Sequence, residues 1–164
     1  MMGNQPKKDL NYLDYSKDAV EGNSVQTTFK FQEIPKSEKA LKLKEEGKLK
    51  EALRIIDDAL NENPNDFKNW NVKALILDSL SEYEKAIECF DNALKLNNSD
   101  FIKKDKANTL YNFAKVTFFP EGDYEKAMNL IDYALDNLPE DEDASEYLFL
   151  KAEIYESMGM PMET

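Results

Sequence analysis

Between Trp70 and Asp100 apolar and small residues return at steps of three and four: Trp70, Ala74, Leu77 and Leu80, then Tyr83, Ala86, Ile87, Phe90, Ala93 and Leu94. That spacing lines them along one face of a helix, and the Ser81-Glu82 step divides the run in two. The stretch predicts a hairpin of two antiparallel helices, with alanines where the backbones come close and large residues on either side. An earlier stretch has the same plan. Lys39-Ala40-x2-Leu43 leads to Gly47 at the interhelix turn, followed by Leu49, Ala52, Leu53, Ile56, Ala59 and Leu60. Gly47, Ala52, Ile56 and Ala59 stand 34 residues before Ser81, Ala86, Phe90 and Ala93. Lys36 occupies the place of Trp70, as expected of an end repeat with one face unstacked. Pro64 stops the second helix, and Asn98 fills the equivalent place one repeat later.

A third unit shows its second helix plainly: Gly122-Asp123-Tyr124-x2-Ala127-x3-Ile131-x2-Ala134-Leu135, then Pro139. Its first helix is out of register. Counting back from Gly122 puts Lys115 at the close-packed small position. Sliding by one residue puts Leu110, Phe113, Ala114 and Thr117 there, with one extra residue near Pro120-Glu121, and this version is preferred. About six residues, from Phe101 to Lys106, precede the normal start without a helix breaker, predicting a first helix lengthened at its N-terminus by nearly two turns. After Pro139 the acidic run from Glu140 to Asp143 suits a helix N-terminus. Leu148, Lys151-Ala152, Tyr155, Met158 and Gly159 then repeat the spacing of Trp70, Lys73-Ala74, Leu77, Leu80 and Ser81. The expected organisation is a mostly disordered tail at 1–32, repeats at about 33–66, 67–100 and 101–141, and a capping helix at about 143–159. In the tail, Leu10, Tyr12, Leu13 and Tyr15, and the alternating Thr27 to Phe31, suit either a solvent-exposed leader or a docking segment.

The pattern Trp70-x2-Lys73-Ala74-x2-Leu77, then Tyr83-x2-Ala86-x3-Phe90-x2-Ala93, resembles the tetratricopeptide repeat, whose period is about 34 residues. The resemblance implies an all-α fold, a right-handed superhelix of helix pairs (an α-solenoid), and protein binding as its work. It also implies that the first helices line a concave groove holding a peptide. Carried onto this chain, the inward positions are Ile34, Ser37, Leu41 and Lys44 in the first repeat and Lys68, Asn71, Leu75 and Asp78 in the second. In the third they are Asn108, Tyr111, Lys115 and Phe118, and on the cap Glu146, Phe149, Glu153 and Glu156. Family members that grip acidic C-terminal tails use lysine, asparagine and arginine at such positions. Here Ser37, Leu41 and Val72 stand where the first of these are needed, so the clamp is missing. Leu41 and Leu75 read equally well as core between repeats. Lys39, Lys73 and Lys151, each before the small alanine, are expected to lay their stems along the packing interface with their charge in solvent.

Charge refines the partner. The 164 residues carry a formal −12, very unevenly placed: residues 120–164 hold two cations against 13 carboxylates, a local −11. Phosphate recognition needs clustered lysine and arginine, so this charge argues against nucleic acid and anionic membranes as partners, and neither is expected. The acidic pole either steers a basic partner or serves solubility. A protein or peptide with apolar anchors and a basic segment fits best. Self-association through the tail or last helix, or service as an accessory subunit, is the alternative. With no histidine and a single cysteine, Cys89, neither a zinc site nor a disulfide framework is expected. No cofactor and no catalysis are expected either, since Glu88 beside Cys89 makes a poor nucleophile. With neither a secretory leader nor a membrane span in view, the cytoplasm is the expected compartment.

Overall fold

The computed structural model describes residues 33–120 and 122–159. Among these, seven α-helices and no strand occur: α1 Lys36–Glu45, α2 Leu49–Glu62, α3 Phe67–Ser79, α4 Tyr83–Leu96, α5 Asp100–Phe118, α6 Tyr124–Asn137 and α7 Ser145–Ser157. The aromatic patches of residues 1–32 lie outside the described residues. Consecutive helices pack as α1 with α2, α3 with α4 and α5 with α6, and α7 lies against α5 and α6. This is an α-solenoid.

Alanines set the spacing within each pair. Ala40 and Ala52, Ala74 and Ala86, and Ala114 and Ala127 are all 0% exposed. A methyl group at the crossing lets the backbones close up, and the larger Ile56, Phe90 and Ile131, equally buried, fill the flanks. Three core clusters result, one centred on Ile56 and Ile76, one on Phe90 and Ile102, and one on Leu110, Ile131 and Ile154. The turns between paired helices use the left-handed backbone region at Gly47 (φ 76°) and Gly122 (φ 67°), and also at Ser81 (φ 60°). Glycine enters that region freely, whereas a residue with a Cβ does so at a cost. Asp66 and Asp123 cap α3 and α6, accepting from the backbone N–H of Lys68 at 2.9 Å and of Lys126 at 3.1 Å, donors that a helix start leaves free.

Between repeats a polar contact recurs. Asp57, Asp91 and Asp132 each stand five residues after the alanine of a second helix, and each receives a lysine from the next first helix. Lys73 reaches Asp57 at 2.8 Å, Lys106 reaches Asp91 at 2.7 Å and Lys151 reaches Asp132 at 2.6 Å. Lys73 and Lys151 therefore do not leave their charge in solvent. They pair it across the junction. Lys106 is the buried member, 2% exposed. Its ammonium also donates to the Tyr133 hydroxyl and lies 4.3 Å from that ring's centroid, joining α4, α5 and α6.

The 19-residue α5 carries the expected N-terminal extension. Ile102 is fully buried in the middle core, Phe101 packs on Phe67 with centroids 6.4 Å apart, and Lys104 bonds Glu142 at 2.7 Å. Leu110, Phe113, Ala114 and Thr117 are buried and Lys115 is exposed, so α5 follows the slid register. Phe118 corrects the expectation that it faces inward. It is 6% exposed and packs edge-on against Phe119 and Tyr124, with centroids at 4.1 and 5.8 Å. It lies one turn past Ala114 at the edge of the apolar stripe, where an aromatic ring gains by turning into the core. On α7 the buried residues are Tyr147, Leu150 and Ile154, while Leu148 is 54% exposed. The face bearing Leu148, Ala152 and Tyr155 matches the one α3 packs on α4, and no second helix among the described residues covers it. The acidic run precedes α7 and leaves only Glu146 in its first turn, with Asp143 accepting from the Ser145 backbone N–H at 2.9 Å.

Two substitutions test this account by urea unfolding. Phe90→Ala empties the centre of the middle core and is expected to cost about 3–5 kcal/mol. Ser81→Gly relieves the left-handed strain and, after the added freedom of the unfolded chain, is expected to stabilise by about 0.5–1 kcal/mol.

Candidate functional site

The first helices of successive units touch one another, α1 with α3, α3 with α5 and α5 with α7, whereas α2, α4 and α6 do not touch among themselves. The inner row is the more closely set, so the solenoid curves toward it. Its polar side chains form a seam. Asn71 on α3 donates through Nδ2 to Asp105 Oδ2 of α5 at 3.2 Å, and Asn112 of α5 donates to Asp78 Oδ1 of α3 at 3.4 Å. The Tyr147 hydroxyl of α7 donates to Asn108 Oδ1 of α5. The Tyr111 and Tyr147 rings lie 5.1 Å apart at 57°, and the Lys115 ammonium stands 5.5 Å from the Tyr111 centroid.

The residues named from the sequence fall into distinct environments. Leu41 and Leu75 are half-buried and pack against the first and middle cores, so each serves the core while presenting an edge. Lys44 and Asp78 are half-buried, as is Ser37, and Lys68 is exposed. Asn71 is buried, with its Oδ1 left without a hydrogen-bond partner, and Val72 is buried too. Tyr111 and Glu153 are half-buried, Glu146 and Glu156 exposed, and Phe149 and Ile34 stand 67% and 69% exposed. Asp105, Asn112 and Tyr147 were not foreseen. A signal for the first two existed, because Asn71 to Asp105 and Asp78 to Asn112 are both 34 residues apart, the period that the slid register sets aside. Tyr147 gave none, since its turn toward α5 depends on which face of α7 packs.

Burial pushes the Asp105 carboxyl up, the Asn71 hydrogen bond and the nearby Lys104 and Lys44 pull it back down, and Asp78 pushes it up again. At the other end of the row burial pushes the Tyr111 phenol up and Glu146 and Glu153 add to it. Tyr147 is pushed up to about 12 by burial, then by Glu146, Glu142 and Tyr111. The inner face thus grades from lysine beside leucine, through paired amides and carboxylates, to aromatic rings among carboxylates.

Residues 68–100 match the family model of the tetratricopeptide repeat. This segment is a tetratricopeptide repeat. Solved structures with the same fold include the type III secretion translocator chaperone SycD of Yersinia enterocolitica, at TM-score 0.54 and 12% identity, covering 76% of this chain and 84% of that one. The MamA RS-1 double mutant matches at TM-score 0.51 and 20% identity, covering 76% and 66%. No curated protein matches the chain in sequence. The tetratricopeptide repeat is a protein-interaction module.

Among the described residues no group of three or more His, Cys, Asp or Glu is placed to hold a metal ion, and no helix is long and apolar enough to cross a membrane. Cys89 is buried in the middle core. Burial pushes its thiol up to about 11, Lys73 opposes and Glu88 adds to the rise, so it stays a neutral packing group at pH 7.

Cys89 and Tyr147 predict an alkaline weakness in this protein. Both hold their protons more tightly when folded, at about 11 against 9.0 and about 12 against 10.0. Their contribution is fully present below the unfolded values and is lost as pH rises through the folded ones. Thermal melts followed by circular dichroism should show stability falling above pH about 9. Cys89→Ala should flatten the first part of that fall and Tyr147→Phe the second.

Proposed function

We propose that this protein is a non-enzymatic adaptor that holds a peptide or protein segment along the inner faces of α1, α3, α5 and α7. The observation that carries this reading is the inner face itself, where the half-buried Leu41 and Leu75 give way to Tyr111 and the exposed Phe149. Aromatic side chains with one face open anchor interfaces more often than aliphatic ones do. The ligand is a segment with apolar anchors toward α1 and α3 and a basic portion toward α7. The −11 of residues 120–164 speeds its approach and repels acidic tails. Acidic tails also lack a clamp, since Ser37 and Leu41 offer no charge and Val72 is buried. Leu41, Lys44, Lys68, Asn71, Leu75, Asp78, Tyr111, Phe149 and Glu153 are the proposed contacts, with Asn71 acting through its bond to Asp105.

Self-association is the second reading, favoured by the Leu148, Ala152 and Tyr155 face of α7, which no helix among the described residues covers.

Capture from a lysate of the source cell, with the wild type and with Leu75→Lys/Tyr111→Lys after circular dichroism shows both folded, tests the groove. The wild type is expected to retain a protein partner that the double variant loses. Equal capture by both would sink the groove reading. Sedimentation over a range of concentrations decides the second reading: a mass that rises with concentration and falls back in Leu148→Lys supports it, and a constant monomer mass removes it.

A further inference from the structure

The α5–α7 end of the inner face contains more than an acidic patch. Tyr111 and Tyr147 meet at 57° with centroids 5.1 Å apart, giving one ring face bordered by another ring's edge. Glu146 and Glu153 stand two turns apart on α7, and both act on the Tyr111 phenol. Tyr147 is held in place by burial and by its bond to Asn108, so half of this corner is rigid before any ligand arrives. The remaining member is Lys115, one turn after Tyr111 on α5. Its ammonium lies over the Tyr111 ring at 5.5 Å, and among the described residues it has no carboxylate within ion-pair distance. An exposed lysine has free choice of position, and this one rests on the Tyr111 ring.

We propose that the corner formed by Tyr111, Tyr147, Glu146 and Glu153 is a subsite for an arginine side chain of the bound segment, and that Lys115 is the intramolecular cation this arginine displaces. The inference rests on the groove reading and names the residue its basic portion brings. Arginine fits better than lysine for two physical reasons. Its planar guanidinium stacks on a ring face, where an ammonium touches it as a point, and it offers paired N–H donors to a flanking carboxylate while stacked. It is also less strongly hydrated, so moving it onto the Tyr111 face costs less than moving an ammonium there. A stacked cation at a partly desolvated aromatic site is worth about a five- to thirty-fold change in affinity. Displacement of Lys115 makes the subsite self-competing: an incoming cation has to outbid a tethered one, which filters out weak or singly bonded amines.

The test uses the full 164-residue chain and N-acetyl-Gly-Arg-Gly-amide as probe, followed by NMR of the aromatic rings. Addition of the probe should shift Tyr111 and Tyr147, and the lysine and citrulline versions should bind at least about threefold more weakly. Tyr111→Leu should weaken the arginine probe about fivefold. Lys115→Ala, at an exposed position, should tighten it, whereas Lys50→Ala, removing the same charge from the exposed face of α2, should not. Equal tightening by Lys115→Ala and Lys50→Ala, or binding indifferent to Tyr111→Leu, would mean a diffuse acidic field and overturn the subsite. A probe that shifts neither ring overturns it as well. These failures are distinct from failure of the groove when the capture is repeated with Leu75→Lys alone, which leaves Tyr111 intact: loss of the partner there stands whether or not arginine is what sits at Tyr111.

Discussion

Close approach of paired helices at alanine is the constraint on which the molecule depends. Ala40 against Ala52, Ala74 against Ala86 and Ala114 against Ala127 leave no exposed surface, and a side chain even one or two carbons larger at any of them would wedge its pair apart. Everything else is referred to that spacing. It sets how deeply Ile56, Phe90 and Ile131 interlock, and it sets the angle at which each pair hands over to the next. A solenoid has no central core to absorb a local error, so a misfit in one pair would tilt all that follow.

The hand-over between pairs has a different chemistry. Asp57, Asp91 and Asp132 occupy one position on the three second helices, and the lysine that answers each comes from the following first helix. For the outer two junctions that lysine is the residue before the alanine. At the middle junction the slid register puts Phe113 there, stacked on Tyr83 at 5.1 Å, and the lysine is supplied by Lys106. The extension of α5 therefore keeps a repeated contact that the register shift would have broken, and buries it.

Those features were legible in the sequence to differing degrees. The helix pairs, the turn positions and the lengthening of α5 follow from local periodicity, because alanines and large apolar residues at steps of three and four can satisfy only one packing. Of the residues named as inward, Phe149 and Lys68 are exposed. The inward set failed at Phe118, where a residue on the border between two faces turns according to its chemistry and not its number. The core face of α7 was not legible, because it is chosen by what lies beside it: among the described residues no helix covers Leu148 and Ala152, and the burial falls to Tyr147, Leu150 and Ile154. The Asn71–Asp105 and Asp78–Asn112 bonds keep the 34-residue period and were passed over because the slid register of α5 pairs other positions.

The three junction contacts are not equally exposed to water, and that difference bears on mechanics. Lys73 and Lys151 keep roughly a quarter of their side-chain surface in solvent, against 3% for Lys106. Mobile ions at physiological strength screen over about 8 Å, so they weaken the outer two junctions more than the middle one, where Asp91 is 44% exposed but the ammonium is buried. Added salt therefore acts on the solenoid unevenly along its length, loosening its end junctions before its middle one.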